Sequence, residues 1–163
     1  MKLTVCEALR PRHWLVAFRR YLGVTAGGHL VWETAHAPLY GIWEDGSAAQ
    51  IAFAIVHCSG GDLLIALSAL VGALLVAGSP GWPIERFRSV TALTLAFGVA
   101  YTVYSEWLNV SVRGSWSYAE RMPLLPPLGT GLSPMLQWLV VPSVALAAAC
   151  GPRRHSAVRG ITP

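Results

Sequence analysis

Long apolar stretches separated by short polar segments make up most of the chain. Three of them, 48–77, 89–111 and 132–150, are near or above the ~20 residues that a helix needs to cross ~30 Å of hydrocarbon. A fourth stretch, 21–43, is equally long but carries ionisable side chains. A pair of arginines precedes it and an aromatic and acidic segment follows it, as at the edges of a membrane span. The pattern predicts an all-α integral membrane bundle of four transmembrane helices.

The remaining segments are predicted to flank or connect these spans within a single domain, 1–151. Residues 1–20 have a broken apolar run and no small-residue cleavage site, which favours an interfacial helix over a signal peptide. Residues 112–131 form a long external loop rich in Pro and Gly, typical of a lid or binding element or of a rigid cover. Residues 152–163 are predicted to be a disordered cytoplasmic tail. Three tryptophans are expected to anchor the bundle at the membrane surface: Trp14, Trp43 and Trp82.

Composition and charge agree with a membrane protein. Hydrophobic residues make up 54% of the chain and charged residues 12%, with a mean hydropathy of +0.50, which argues against a soluble domain. If the N-terminus is cytoplasmic, all but two of the 12 basic residues, Arg113 and Arg121, lie on the cytoplasmic side together with both termini. This asymmetry explains the net charge of +4 without nucleic-acid binding. We expect a multi-pass protein of the cell (inner) membrane, in contact with membrane lipids, and small-residue helix faces that permit a homodimer.

Ionisable side chains inside the predicted spans are the most unusual feature of the sequence. Each costs on the order of a few kcal/mol in the membrane and normally faces the bundle interior with a partner. By position within each span, most lie between mid-bilayer and the outer leaflet. The set comprises His29, Glu33, His36, His57, Asp62 and Glu106, with the polar residues Asn109 and Gln137 at similar depth.

Helical geometry groups some of these residues. On an ideal helix His29, Glu33 and His36 fall within an arc of roughly 60°. Thr102, Glu106 and Asn109 are also predicted to share a face. His57 and Asp62 diverge by about 140°, so both point inward only if the intervening Ser-Gly-Gly segment distorts the helix. The alternative is that these glycines allow close packing against a neighbouring helix.

Short motifs in these spans resemble the EXPERA family of four-helix membrane proteins, which includes sterol isomerases. The likeness covers about residues 28–146. Its motifs are His29-Leu-Val-Trp-Glu33, followed by Leu39-Tyr40 and Glu44-Asp45, then Tyr104-Ser105-Glu106, and Trp138-Leu139-Val140-Val141-Pro142. The chain departs from the family pattern on the second span, where Asp62 beside a Gly-Gly pair replaces a glutamate, and in its additional His36 and His57.

The resemblance implies proton transfer on a sterol-like or isoprenoid-like lipid, as in double-bond isomerisation, with no cofactor. A buried acid would protonate one carbon, a base would deprotonate another, and the Trp138 ring would lie beside the cationic intermediate. The catalytic residues expected are His29, Glu33, Asp62 and Glu106. The ligand-binding residues expected are His36, His57, Tyr104, Asn109, Trp116, Gln137 and Trp138.

Two other classes of function fit the same residues. An intramembrane transition-metal site with a redox or hydrolytic role would draw its ligands from His29, Glu33, His36 and His57. A lipid binder without catalytic activity, or a small transporter, would use these groups for recognition or as a proton relay.

Overall fold

The computed structural model describes residues 10–150, with side chains from residue 13 onward. The main elements are α1 (Arg10–His36), the short α2 (Ile42–Asp45), α3 (Ala48–Ala77), α4 (Phe87–Glu106) and α5 (Leu132–Cys150). The shorter elements are a 3-10 turn (Ala37–Leu39), a π-helical stretch (Trp107–Val112), and an antiparallel hairpin of β1 (Leu124–Leu125) and β2 (Thr130–Gly131). Most of the described residues are helical, so the predicted all-α class is confirmed.

The four long helices form a closed bundle. Each packs against two neighbours, in the spatial order α1, α3, α4, α5 and back to α1. Helix α3 starts at a capping box in which Ser47 and Gln50 exchange hydrogen bonds, and it ends at Gly78, whose φ of 57° is left-handed. We call the end of the bundle where α3 begins the outer end and the opposite end the inner end.

The helix bounds differ from the prediction at α1 and α4. Helices cover 48–77 and 132–150 as predicted. Where the sequence predicted an interfacial helix followed by a span over 21–43, α1 is one continuous helix that ends at His36. Its early end follows from Pro38, because the residue before a proline is disfavoured in a helix. Helix α4 starts two residues early and passes into the π-helical stretch. Residues 1–9 and the tail over 152–163 lie outside the described residues.

The inner end is filled by a closely packed apolar core from all four long helices. Trp82, in the loop between α3 and α4, is only 2% exposed and belongs to this core, so its predicted role as an interfacial anchor is wrong. The loop is held by a Ser79 hydroxyl that donates to the Glu85 carbonyl (3.0 Å) and by an Arg86 guanidinium that donates to the Ala77 carbonyl. The core comprises Ala17, Tyr21, Ala66, Leu70, Ala73, Ala77, Trp82, Val90, Trp138, Ala145, Leu146 and Ala149.

Large apolar side chains cover much of the outside of the bundle. Examples on α3 alone are Phe53, Leu64 and Leu75, which are 69%, 67% and 77% exposed. Within the described residues, α3 and α5 are long and apolar enough to cross a membrane, as judged by length and composition. Helices α1 and α4 carry more polar residues and do not meet the same criterion.

Candidate functional site

A cavity of about 940 Å³ occupies the outer end of the bundle. All four long helices and the segment after the π-helical stretch contribute to its wall, which is mostly apolar and aromatic. Four carboxyl groups line it: Glu33 from α1, Asp62 from α3 and Glu106 from α4, with Asp45 from the short α2. The acids that were predicted to lie in one layer on separate helices therefore line one partly open cavity.

Gln137 on α5 links the polar groups at one side of this cavity. Its buried amide nitrogen lies 2.9 Å from Glu33 Oε1, 3.0 Å from Asp62 Oδ2 and 3.0 Å from His29 Nδ1. The nitrogen carries only two hydrogens and does not accept hydrogen bonds, so it donates to at most two of these three atoms at a time. His29 Nδ1 is also 3.3 Å from Asp62 Oδ2. We call these four residues the Gln137 cluster.

His29 lies behind the cavity wall. Its side chain is fully buried and does not line the cavity, and its ring centroid is 5.2 Å from that of Trp138. Its Nε2 atom has no hydrogen-bond partner among residues 10–150. It contacts three residues that do line the cavity, Asp62, Gln137 and Trp138.

His36 extends the polar wall toward the outer end. Its Nε2 lies 3.2 Å from Glu33 Oε1, and its Nδ1 lies 3.0 Å from the hydroxyl of Ser133, to which Trp32 also donates (3.2 Å). His36 is buried and its ring packs against Tyr40. These contacts fix the orientation of the imidazole beside Glu33, so a proton can pass between them.

Glu106 is held by the loop between the π-helical stretch and α5. The Tyr118 hydroxyl donates to the Glu106 carboxylate and accepts from the Gly131 backbone N–H (3.0 Å). Burial and the neighbouring Glu106 carboxylate raise the pKa of Tyr118, so its hydroxyl remains a donor at neutral pH. Tyr118 was not among the predicted site residues, although its place in the aromatic external loop is a signal that could have marked it as a candidate.

The external loop covers the outer end of the cavity. It is tied to the segment after α1 by two backbone hydrogen bonds, from Gly41 N–H to the Ser117 carbonyl and from Ala119 N–H to the Leu39 carbonyl (2.9 Å each). Arg121 adds a bond to the Pro38 carbonyl (2.8 Å) and an exposed ion pair with Glu44 (3.0 Å). The two external segments therefore form one cover, of which Trp116 lines the cavity.

Most of the predicted site residues meet at this cavity, but three do not line it. The residues that line it are Glu33, His36, His57, Asp62, Glu106, Trp116, Gln137 and Trp138. His29 lies behind the wall. Tyr104 is half exposed on the outside of α4 between Tyr101 and Trp107, and Asn109 bonds to the Ser105 carbonyl of its own helix (2.9 Å). Tyr104 and Asn109 were predicted to bind the ligand, but neither of them lines this cavity.

The glycine pair on α3 serves neither of the two purposes proposed for it. Helix α3 is uninterrupted through Gly60 and Gly61, and a Cβ added at either one meets no other atom within 4 Å. Asp62 faces the Gln137 cluster, whereas His57 is exposed and stacks on Phe53 (5.4 Å) at the edge of the cavity. The glycines therefore leave open space, and Gly61 contributes that space to the cavity.

The ionisable side chains at this site include carboxyl and imidazole groups, which are able to exchange protons. Within residues 10–150, no three His, Cys, Asp or Glu side chains are arranged so as to hold a metal ion. His57, one of the four ligands suggested for a metal, is separated from the others by its exposed position. Comparisons of the chain with protein-family models, curated proteins and solved structures give no match. Carboxyl and imidazole groups facing an apolar cavity can donate protons to a hydrophobic molecule and accept protons from it.

Proposed function

We propose that the chain spans a membrane with four helices and binds a lipid-like small molecule in the outer cavity, where buried carboxyl groups transfer protons to and from it. The observation that carries this proposal is the convergence of Glu33, Asp62 and Glu106, from three helices, on one largely apolar cavity of about 940 Å³. Buried acids at such a depth are costly in a membrane and are normally kept for function.

The surface of the bundle supports insertion in a membrane. The exposed apolar side chains on α3 would be unfavourable in water, and only 28% of its most apolar window is buried. Exposed arginines flank the inner end at Arg19, Arg20, Arg86 and Arg88, consistent with the positive-inside rule. Helix α1 is more polar because it carries four arginines as well as His29, Glu33 and His36, and α4 because it carries Arg88, several hydroxyl residues and Glu106.

The apolar wall of the cavity supports a lipid-like ligand. A cavity that binds a polar solute would be lined mostly by polar groups. Here most of the wall is apolar, and the acids occupy only a few positions on it. The Trp138 ring forms part of the same wall and is able to stabilise a cation by its π face. Isomerisation of a double bond in a sterol-like or isoprenoid-like lipid, as the EXPERA resemblance implies, uses each of these features.

The proposed step balances without a cofactor. A neutral carboxyl group breaks its O–H bond, and the π pair of the substrate forms the new C–H bond, leaving a cation on the adjacent carbon. An ionised carboxylate then removes a proton from the next carbon, and that C–H pair becomes the new double bond. Glu33 and Asp62 are placed to donate, because ionising both would put like charges side by side. Glu106, which accepts from Tyr118, is placed to act as the base.

Deuterium incorporation tests the proton transfer. Purified protein in lipid nanodiscs is incubated in D₂O with unsaturated sterols and isoprenoid alcohols, and mass spectrometry follows the product. An isomerase inserts one deuterium per turnover. We expect Glu33→Gln, Asp62→Asn and Glu106→Gln each to lower incorporation by about a hundredfold or more, since an acid or base is lost. Glu120→Gln, at an exposed acid of the external loop, is the matched control and is expected to retain activity.

Other outcomes would identify the competing functions. Binding of these lipids without deuterium incorporation in the wild type would overturn catalysis and favour a lipid binder. A stoichiometric transition metal in the purified protein, lost in Glu33→Gln or in His36→Ala, would displace the proposal in favour of a metal site.

A further inference from the structure

A second, smaller opening lies next to the cavity, between α3 and α4. It has a volume of about 420 Å³ and is lined by Leu64, Ile65, Ser68, Ala69, Phe97 and Tyr101. We call it the side groove. Ile65 and Tyr101 also line the cavity, so the two spaces share a wall made of these two side chains.

The side groove is lined mainly by apolar groups, with Ser68 and Tyr101 as the two side chains that carry a hydroxyl. The Ser68 hydroxyl donates to the Leu64 carbonyl one turn earlier (2.8 Å) and so does not need a polar ligand. Leu64 is 67% exposed and Tyr101 46% exposed, which places this groove on the outside of the bundle, where the bilayer would lie. A hydrocarbon chain fits the apolar side chains of this groove, and the Ser68 hydroxyl needs no polar partner from it.

The order of residues along both helices places the cavity and the side groove next to each other, so that a path from one to the other runs past the side chains of Ile65 and Tyr101. On α3, Gly61 lines the cavity, Ile65 one turn later lines both spaces, and Ala69 one turn further lines the groove alone. On α4, Tyr101 lines both spaces, and Phe97 one turn toward the inner end lines the groove alone. The path therefore leads from the carboxyl groups toward the middle of the bundle along its outside.

We infer that the ligand is a linear amphipathic lipid: its proton-exchanging end lies beside Glu33 and Asp62, and its hydrocarbon chain passes Ile65 and Tyr101 into the side groove. This inference rests on the function proposed above and specifies the class of ligand. A flexible chain can bend around the two shared side chains, whereas a rigid fused-ring lipid has to remain within the cavity. The groove then selects ligands by chain length.

Chain-length dependence of binding tests the inference. The probes are the radiolabelled isoprenoid alcohols geraniol, farnesol and geranylgeraniol, each one isoprene unit longer than the last, with cholesterol as the rigid comparison. Binding to the full chain is measured in nanodiscs. We expect affinity to rise along the series, because each buried methylene contributes about fourfold in affinity. Geranylgeraniol is expected to bind more tightly than cholesterol.

Ser68→Phe fills the side groove and is expected to weaken geranylgeraniol binding by about tenfold or more while leaving geraniol unchanged. Ser143→Phe is the matched control, because Ser143 is an exposed helix serine whose hydroxyl likewise donates one turn back, to the Leu139 carbonyl (2.5 Å), and it lies outside both spaces. Leu64→Trp fills the groove from its exposed side and provides a second variant if Ser68→Phe does not fold.

The outcomes separate the two proposals. Gly61→Leu narrows the cavity itself and is expected to weaken all three alcohols. If Gly61→Leu weakens them but the groove variants do not, or if cholesterol binds more tightly than geranylgeraniol, the linear-chain inference is overturned and the cavity proposal stands. If the wild type binds none of the probes, or Gly61→Leu changes nothing, both proposals are overturned.

Discussion

The two ends of the bundle are built from the same four helices but are packed differently. At the inner end, Leu70, Leu146 and the Trp82 side chain from the loop fill the interior, and each is at most 2% exposed. At the outer end the same helices diverge from one another around a cavity into which polar side chains project. Along α3 the change occurs within two turns, from Gly61 at the cavity to Ala66 in the core.

This difference assigns separate tasks to the two ends. Close packing contributes stability in proportion to the apolar surface that it buries, so the inner end holds the helices together. Among the described residues, buried polar atoms without a partner occur at both ends, such as His29 Nε2 at the outer end and Trp82 Nε1 at the inner end, but the ionisable groups of the cavity lie at the outer end, where their burial costs stability. A protein tolerates such a site where the rest of the fold compensates for it. The comparison predicts that similar substitutions have unequal effects at the two ends.

The largest expected effect is at the inner core. Leu70→Ala is expected to lower the free energy of unfolding by about 2–5 kcal/mol, because it leaves a void among fully packed neighbours. Ile65→Ala, one turn or so nearer the outer end, is expected to cost less, since part of its side chain already faces open space. Denaturation of both variants in mild detergent measures the difference. Equal losses would show that the outer end is packed as closely as the inner end.

A smaller effect is expected at the external cover. Tyr118→Phe removes the donor to Glu106 and the acceptor for the Gly131 N–H, and is expected to cost about 1–3 kcal/mol of stability. The loss should be local, so amide hydrogen exchange should increase in residues 113–131 and remain unchanged in α3 beyond Ala66. An increase that reaches Leu70 and Ala73 would contradict the separation of the two ends.

The sequence was sufficient to predict those elements that depend on local features. The bounds of α3 and α5 follow from long, largely apolar runs, and the structure adds the Ser47 capping box and Gly78 at the two ends of α3. The end of α1 was misplaced because the apolar pattern was given more weight than Pro38. The depths of the acids along their spans were enough to place them at a common level.

The sequence was not sufficient to predict contacts that depend on the three-dimensional arrangement. Asn109 was placed on the face of Glu106 by ideal α-helical spacing, but it lies in the π-helical stretch, where that spacing does not hold. The pairing of Tyr118 with Glu106 depends on the path of a long loop, and the role of Gln137 depends on three helices meeting around one amide. No local pattern specifies either contact.

The smallest expected effect is that of replacing Gly61 in α3 by alanine. The same replacement at Gly98 in α4 is expected to have the opposite sign. Gly61→Ala is expected to stabilise the protein by about 0.5–1 kcal/mol, because alanine favours the helix and its Cβ enters open space. Gly98→Ala places a Cβ against the Trp138 ring and is expected to destabilise by about 1–3 kcal/mol, through overpacking. Thermal denaturation of the two variants in the same detergent measures both shifts. Because alanine has the same intrinsic helix propensity at both positions, the difference between them reports only on space, and a loss of stability in Gly61→Ala would mean that the cavity wall is closed at that point.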